Sequence, residues 1–450
     1  MKFNVGSARK LAAAILRRLG ILAILTGDTI EHAGLRVAWG IFWKQGVMQG
    51  VSGAARRLRT TFAQHESDAP KQISHPPSTS RIRSGVLFVG YAQGALGLGQ
   101  AFRSDIKAAA AADLPFAIYP IEKNIEGRLI GPFMPERYDR DNAYAVNIIE
   151  VAADQIPAVL DILGPHRTDS SYNILKTYWE LPRAPEVWRN HLSRMDEIWV
   201  PNQFVADAFA PIYERAIHIV PPAVEHLAER TVARETLGLG TGRYYFLFSF
   251  DYNSSPFRKN PIGVLDAFHT AFPKGDEPVG LVIKTNGRSD LYPQIRHHID
   301  AAAKRDPRIQ VINDHLDRDG MLDLLSAADA YVSLHKAEGF GLGMAEAMML
   351  HRSVVGTNFS GSTDFLNSET GHPIPYRLQP IQPHEYPGSD GQFWADPDVE
   401  VAATAMRHLV DNDQNEVNRR QLAADTIRRK YSYDVVGQHM KSRIESLCLI

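Results

Sequence analysis

The chain has 450 residues, of which 44% are hydrophobic and 9% aromatic; that is enough for two or three packed domains and excludes a disordered chain. Its single cysteine, Cys448, excludes an intramolecular disulfide and a cysteine-based metal cluster, and points to a reducing, cytoplasmic compartment. The formal net charge of -2 is unevenly spread: residues 1–60 carry ten Lys or Arg against Asp28 and Glu31, or +8, which leaves -10 for the rest.

An arm of that charge points to an anionic partner surface. Its apolar stretches, AAAILRRLGILAIL (12–25) and LRVAWGIFWKQGVM (35–48), are each broken by Arg or Lys and are too short for a transmembrane helix. No small-residue cleavage site marks the first as a signal peptide. A basic amphipathic pair lying peripherally on the cytoplasmic face of an anionic membrane, with Trp39 and Trp43 at headgroup level, suits the pattern. Packing of the same helices on the body of the protein is the competing reading. Nucleic acid is not an expected partner, because the arm lacks the aromatic platforms and finger spacings of nucleic-acid readers.

Residues 61–80, rich in Pro and Ser without apolar period, read as a flexible linker. Residues 85–115 then give a buried strand, a glycine turn and an alanine-rich helix, the opening of a strand-helix alternation. Further strands are expected at 143–151, 172–179, 197–202 and 216–222. A second alternation begins at YYFLFSFDY (244–252), with a helix from Asn260, strands at 280–285 and 308–314, a helix and strand within 321–335, and SVVGT at 353–357. The expected fold is α/β: two Rossmann-like domains facing a central cleft, 81–235 and 236–430, with a final helix at 431–450. In parallel sheets of this kind ligands bind at the carboxyl ends of the strands.

The densest constellation is EGFGLGMAEAM, 338–348. A strand ends just before Glu338, and the helix carrying Glu346 follows a glycine turn. Such a helix start presents free amides and a positive dipole end that suit a phosphate, and the glutamates can accept hydrogen bonds from sugar hydroxyls. The competing reading makes Glu338 a helix cap and Glu346 a solvated helix residue. Upstream, Arg258 and Lys259 precede a helix, where cations can neutralise a diphosphate, although RK pairs are more often solvated surface cations. Lys284 sits in the apolar run LVIK, where a charge needs a partner or must snorkel out.

Together these segments resemble the retaining nucleotide-sugar glycosyltransferases of family 4, which have the GT-B arrangement. EGFGLGMAEAM is similar to their Glu-x7-Glu signature, RKNPIGVLDAF (258–268) to their phosphate-binding helix, and SGSTDFL (360–366) to the segment after the following strand. In the first half, GYAQGALGLGQAFR (90–103), YWELP (178–182) and DEIWVPNQFVADAF (196–209) resemble a polysaccharide-assembling subset. The resemblance implies that Glu338 holds the transferred sugar, Glu346 the nucleotide ribose and Lys259 the diphosphate. The backbone of Gly339, Phe340, Gly341, Leu342 and Gly343 is to line sugar and phosphate. Two positions depart from the pattern. Ser254 stands where many members have an arginine, so that Arg258 or Lys284 must replace it, and Gly343 stands where proline is frequent.

On the acceptor side the candidates are Gly97, Gly99, Arg103 and Glu180; the glycine turn has tight strand-helix packing as its alternative, and Trp179 beside Glu180 suits a sugar face, although such a tryptophan is more often core. Three Asp-x-Asp triplets (139/141, 317/319, 396/398) read as turns and caps in loops, and His335 has no partners spaced for zinc. No metal or other cofactor is expected. The resemblance implies sugar transfer from a nucleoside-diphosphate sugar to a lipid-linked or polysaccharide acceptor. A non-catalytic nucleotide-sugar-binding subunit and a glycan phosphorylase of the same fold are the alternatives.

Overall fold

A computed structural model describes residues 82–123, 129–226, 230 and 232–449. The basic arm and the linker expected at 1–60 and 61–80 lie outside the described residues. Among those described, no helix is long and apolar enough to cross a membrane.

Two six-stranded parallel sheets organise the chain. The first comprises β1 (Arg83–Gly90), β2 (Phe116–Pro120), β3 (Tyr144–Glu150), β4 (Tyr172–Lys176), β5 (Glu197–Val200) and β6 (Ala216–Ile219), in the spatial order 2-1-3-4-5-6. Both faces are covered, which is why its strands read as continuous apolar runs rather than alternating ones. Val86 and Phe88 of β1 enter one core with Phe102, Ile106 and Trp199; Leu87 and Val89 enter another with Leu175, Ile198 and Phe209. The helices α1 (Gly97–Ala111), α2 (Ile156–Leu163) and α3 (Gln203–Phe209) belong to this half.

The second sheet contains β7 (Tyr244–Asp251), β8 (Val279–Asn286), β9 (Ile309–Ile312), β10 (Ala330–Ser333), β11 (Ser353–Thr357) and β12 (His372–Ile374), ordered 12-11-10-7-8-9. Its helices are α4 (Pro261–Ala271), α5 (Pro293–Arg305), α6 (Arg318–Ala327), α7 (Leu342–Met349), α8 (Val399–Asn412) and α9 (Val417–Tyr431). Phe246, Phe248 and Phe250 pack on one face with Phe268 and Phe272, while Tyr245 and Leu247 pack on the other with Leu325 and Met348. Each sheet has one point where the chain changes direction, between β1 and β3 in the first and between β7 and β10 in the second. Ligands of open α/β sheets bind in the crevice outside such a point.

Four strands were not among the sequence candidates, β12 being only three residues long. β2 is five residues long and ends in Pro120, too short for its pattern to register. β13 (Tyr376–Pro380) and β14 (Phe393–Pro397) pair antiparallel in a Pro- and Gly-rich region without periodicity. Asp396 therefore sits within a strand opposite Arg377 rather than in a loop. Asp317 and Asp398 do cap helices, accepting from Gly320 N at 2.8 Å and Val401 N at 3.1 Å.

The last helix, α10 (Tyr433–Ser446), leaves the second half and lies against α1 of the first. A Cβ at Gly437 would meet the Ala108 carbonyl oxygen at 2.0 Å, so only glycine allows this approach. Arg443 clamps the same helix to the buried Glu197, its Nε 3.1 Å from Oε1. The expected result of Gly437→Ala is a loss of about 2 kcal/mol in unfolding free energy from the forced separation of α1 and α10, read by denaturant titration; unchanged stability would mean that the contact is not made.

Candidate active site

The two turning points face each other across a cavity of about 820 Å³. Gly97, Leu98, Ala152 and Asp154 line it from beyond β1 and β3, and Ser249, Asp251, Asn253, Ser333 and Glu338 from β7, β10 and the loops after them.

Glu338 anchors the second half of this wall. It is 8% exposed, and its carboxylate is held between two cations: Lys259 Nζ pairs with Oε1, and Arg258 Nη1 lies 3.1 Å from Oε2. Burial opposes the charge on Glu338, but Lys259 and Arg258 outweigh it and hold the carboxyl well below the usual range. Burial likewise works against Arg258, and Glu338 and Glu180 overcome it. For Lys259 burial and the Arg258 charge prevail over Glu338 and lower its pKa. Local structure fixes both cations. Pro256–Lys259 forms one helical turn stopped by Asn260 in the left-handed region, φ 56°. The Asn260 side chain caps α4 by accepting from Gly263 N at 3.1 Å and donates to Leu334 O at 2.9 Å, tying the turn to the end of β10.

The cation beside Ser254 is Arg258. Its Nη2 donates to Ser254 Oγ at 3.0 Å and its Nε to Ser254 O at 3.3 Å, so a small residue at 254 leaves room for the guanidinium. Lys284 does not line the cavity. One strand beyond β7, its Nζ turns to Thr285 O at 2.7 Å and Asn286 Oδ1 at 2.8 Å, and burial pushes its pKa down to about 8.

Gly339 to Gly343 all line the cavity. Glu338 is not the cap of α7: that position is Gly341, φ 95°, a conformation suited to glycine. A Cβ at Gly339 would meet the Trp179 carbonyl of the opposite half at 3.3 Å, and the Gly339 carbonyl accepts from Asn202 Nδ2 at 2.6 Å. Gly343 is explained by Tyr331, whose hydroxyl would lie 2.7 Å from a Cβ there. Glu346 is buried but not on the cavity wall. It pairs with Arg318 Nη1 at 2.6 Å, and Arg318 Nη2 lies 3.4 Å from Glu225 of the other half. Burial raises the Glu346 pKa against the pull of Arg318.

Of the acceptor-side candidates, Gly97 and Glu180 line the cavity; Gly99 and Arg103 do not. At Gly99 a Cβ would meet Gly94 O at 2.3 Å, which is tight helix-turn packing. Arg103 braces that turn through Ala92 O at 3.2 Å and Gly94 O at 2.9 Å. Glu180 Oε1 lies 3.6 Å from Arg258 Nη2, joining the halves across the cleft. Trp179 is 6% exposed, mostly core, in edge contact with Trp188 at 4.8 Å.

Sequence reasoning missed the segment between β13 and β14. Residues 381–392 reach over the cleft: Tyr386 donates to Glu180 Oε2 at 2.6 Å, and Gln392 both accepts from Arg183 N at 2.9 Å and donates to Arg183 O at 3.0 Å. Tyr386, Pro387 and Gly388 thereby become cavity wall. Its HEYPGSDG carries no apolar period that would mark it. His335, fully buried under Glu338, has Ser333 Oγ and Phe359 O as partners at 3.0 and 3.3 Å. Among the described residues no group of three His, Cys, Asp or Glu could hold a metal ion.

Neither a protein-family model nor a curated protein matches the chain. Solved structures do. Sucrose-phosphate synthase from Thermosynechococcus elongatus is 13% identical at a TM-score of 0.61, covering 81% of this chain and 99% of that one. Anabaena Alr3699/HepE, in complex with UDP and glucose, is 12% identical at 0.57, covering 80% and 99%. The chain spans about half, 54%, of S. aureus TarM, aligned over 66% of its own length at 14% identity and a TM-score of 0.49. The structural neighbours are GT-B glycosyltransferases, and the fold of this chain is the two-domain GT-B α/β fold.

Burial, opposed by Glu338, lowers the His335 pKa to about 4. An unfolded histidine takes its proton near 6.5, so between pH 6.5 and 4 the unfolded state binds more protons and stability falls as pH falls, by about 3 kcal/mol in all. His335→Gln is expected to flatten this slope in urea titrations across pH 4 to 7; an identical slope would show that another group titrates there.

Proposed function

We propose that the chain is a retaining hexosyltransferase of the family 4 type, moving a sugar from a nucleoside-diphosphate sugar to a lipid-linked or polysaccharide acceptor in cell-surface glycan assembly. The observation that carries this reading is the buried Glu338 carboxylate, flanked by Arg258 and Lys259 at the mouth of a glycine loop that opens α7. In this reading residues 236–430 bind the donor and 81–235 the acceptor, with 431–450 packing back on the acceptor side. Support comes also from the fold, which is shared with the Anabaena protein crystallised with UDP and glucose.

Each residue then has a physical task. Glu338 accepts hydrogen bonds from the sugar hydroxyls, and its cations keep it ionised, so it also faces the positive charge that develops at the anomeric carbon. Arg258, Lys259 and the amides of Gly341 to Gly343 stabilise the departing diphosphate. Glu346 holds the ribose once Arg318 yields it, and Glu180 and Gly97 meet the acceptor. Retention follows from attack on the face the leaving group vacates, with a phosphate oxygen taking the acceptor's proton. The scheme routes no step through a metal. The basic arm holds the enzyme peripherally on the anionic cytoplasmic membrane surface, where lipid-linked acceptors reside.

A thermal-shift screen of nucleotide sugars is expected to find one that stabilises the wild type by mass action. With that donor, Glu338→Ala and Lys259→Ala should each lower turnover about 10² to 10³-fold, and Glu346→Ala should raise donor KM. Wild-type rates in all three folded variants would refute the site. For the arm, a chain beginning near residue 80 should lose sedimentation with phosphatidylserine vesicles while still binding donor; unchanged sedimentation would refute membrane attachment.

A further inference from the structure

Tyr331 has no task in the reading above, yet its hydroxyl stands at the first turn of α7. The side chain rises from β10 beneath that turn, and a Cβ at Gly343 would lie 2.7 Å from its hydroxyl oxygen and 3.1 Å from Cζ. Residue 343 is bare because the phenol already fills the space that a side chain there needs. Tyr331 is only 5% exposed, but it belongs to the cavity wall, as does Ser249. The two hydroxyls lie 2.8 Å apart, and either can be the donor.

We propose that Tyr331 is a binding residue for the donor's diphosphate: with Ser249 donating to it, its phenol proton is released toward a phosphate oxygen seated at the first turn of α7. Because either oxygen of the pair can donate, the phenol can turn its proton outward while Ser249 keeps a hydrogen bond to it. When the cavity holds no acceptor for it, the phenol donates to Ser249; when an anion arrives, the serine hydroxyl turns and the phenol donates outward. Burial first, and then Glu338 and Glu346, push the Tyr331 pKa up to about 12, so the group keeps its proton and cannot repel the anion as a phenolate. The amides of the glycine loop, which precede the first hydrogen bonds of α7, offer the same phosphate further donors. A phenylalanine fills the same volume and lacks only this donor.

The inference rests on the proposed donor site, and the test separates the two. Full-length wild type and Tyr331→Phe are titrated calorimetrically with UDP, GDP, ADP and dTDP, and with the nucleoside of whichever binds. The expected result is a diphosphate Kd about tenfold weaker in Tyr331→Phe, equal to about 1.4 kcal/mol, with nucleoside affinity unchanged. Equal diphosphate affinity in the two proteins, or equal losses for diphosphate and nucleoside, overturns the assignment. Binding of none of the four diphosphates by the wild type overturns the glycosyl-transfer reading itself. Should Tyr331→Phe not fold, Ser249→Ala, which leaves the phenol in place, decides: a loss confined to the diphosphate supports the assignment, and an unchanged diphosphate affinity refutes it.

Discussion

The ion triplet of Arg258, Glu338 and Lys259 is the constraint around which the rest of the cleft is arranged. A carboxylate at this depth survives only with countercharge in contact, because desolvation would otherwise neutralise it. Two adjacent cations cannot both reach one carboxylate from an extended chain. The single helical turn at 256–259 turns them to the same side, and Asn260 ends it abruptly. Ser254 completes the arrangement by giving the guanidinium a hydroxyl and a carbonyl to hold. Removing Glu338 would leave two adjacent cations without their shared counter-ion, which is costlier than never having built the pair.

The sheets deliver these groups to one place. In each sheet the strand order reverses once, and the loops that follow the reversing strands have nothing above them but the opposite half. The glycine turns use this opening differently. A Cβ at Gly97 would meet nothing within 4 Å, whereas one at Gly339 would lie 3.3 Å from the Trp179 carbonyl across the cleft. One leaves space and the other permits close approach of the two halves.

Much of this was legible in the sequence where local pattern and chemistry agree. The strand runs were readable because both faces of each sheet are buried, and EGFGLGMAEAM stood out because three glycines and two acids have no business together in an ordinary helix. What the residues alone could not decide were directions and distant neighbours. Arg258 and Lys284 were equal candidates until the side-chain paths separated them, one into the cavity and one toward Asn286. Gly343 stood only as a departure from a frequent proline, since nothing in its vicinity announces a phenol rising from twelve residues earlier. Tyr386 meets Glu180 across 206 positions, a span over which sequence pattern carries no information. The surroundings of Gly99 and Glu346 could not be read either, because each has a partner distant in pattern: the Gly94 carbonyl and the Arg318 guanidinium.

The backbone passes between the two halves twice, once between β6 and β7 and once at Ser432, where α9 gives way to α10. These crossings are bonded to each other, Val224 N donating to Tyr431 O at 2.7 Å. Two joined crossings act as a pivot rather than as two separate tethers, so the halves cannot slide past one another without breaking it. Far along the sequence, the 381–392 segment fastens the cleft to Glu180 and Arg183 with a handful of hydrogen bonds. The molecule therefore has the mechanics of a clasp: a covalent hinge and a non-covalent latch, with the latch made of bonds that single water molecules can replace.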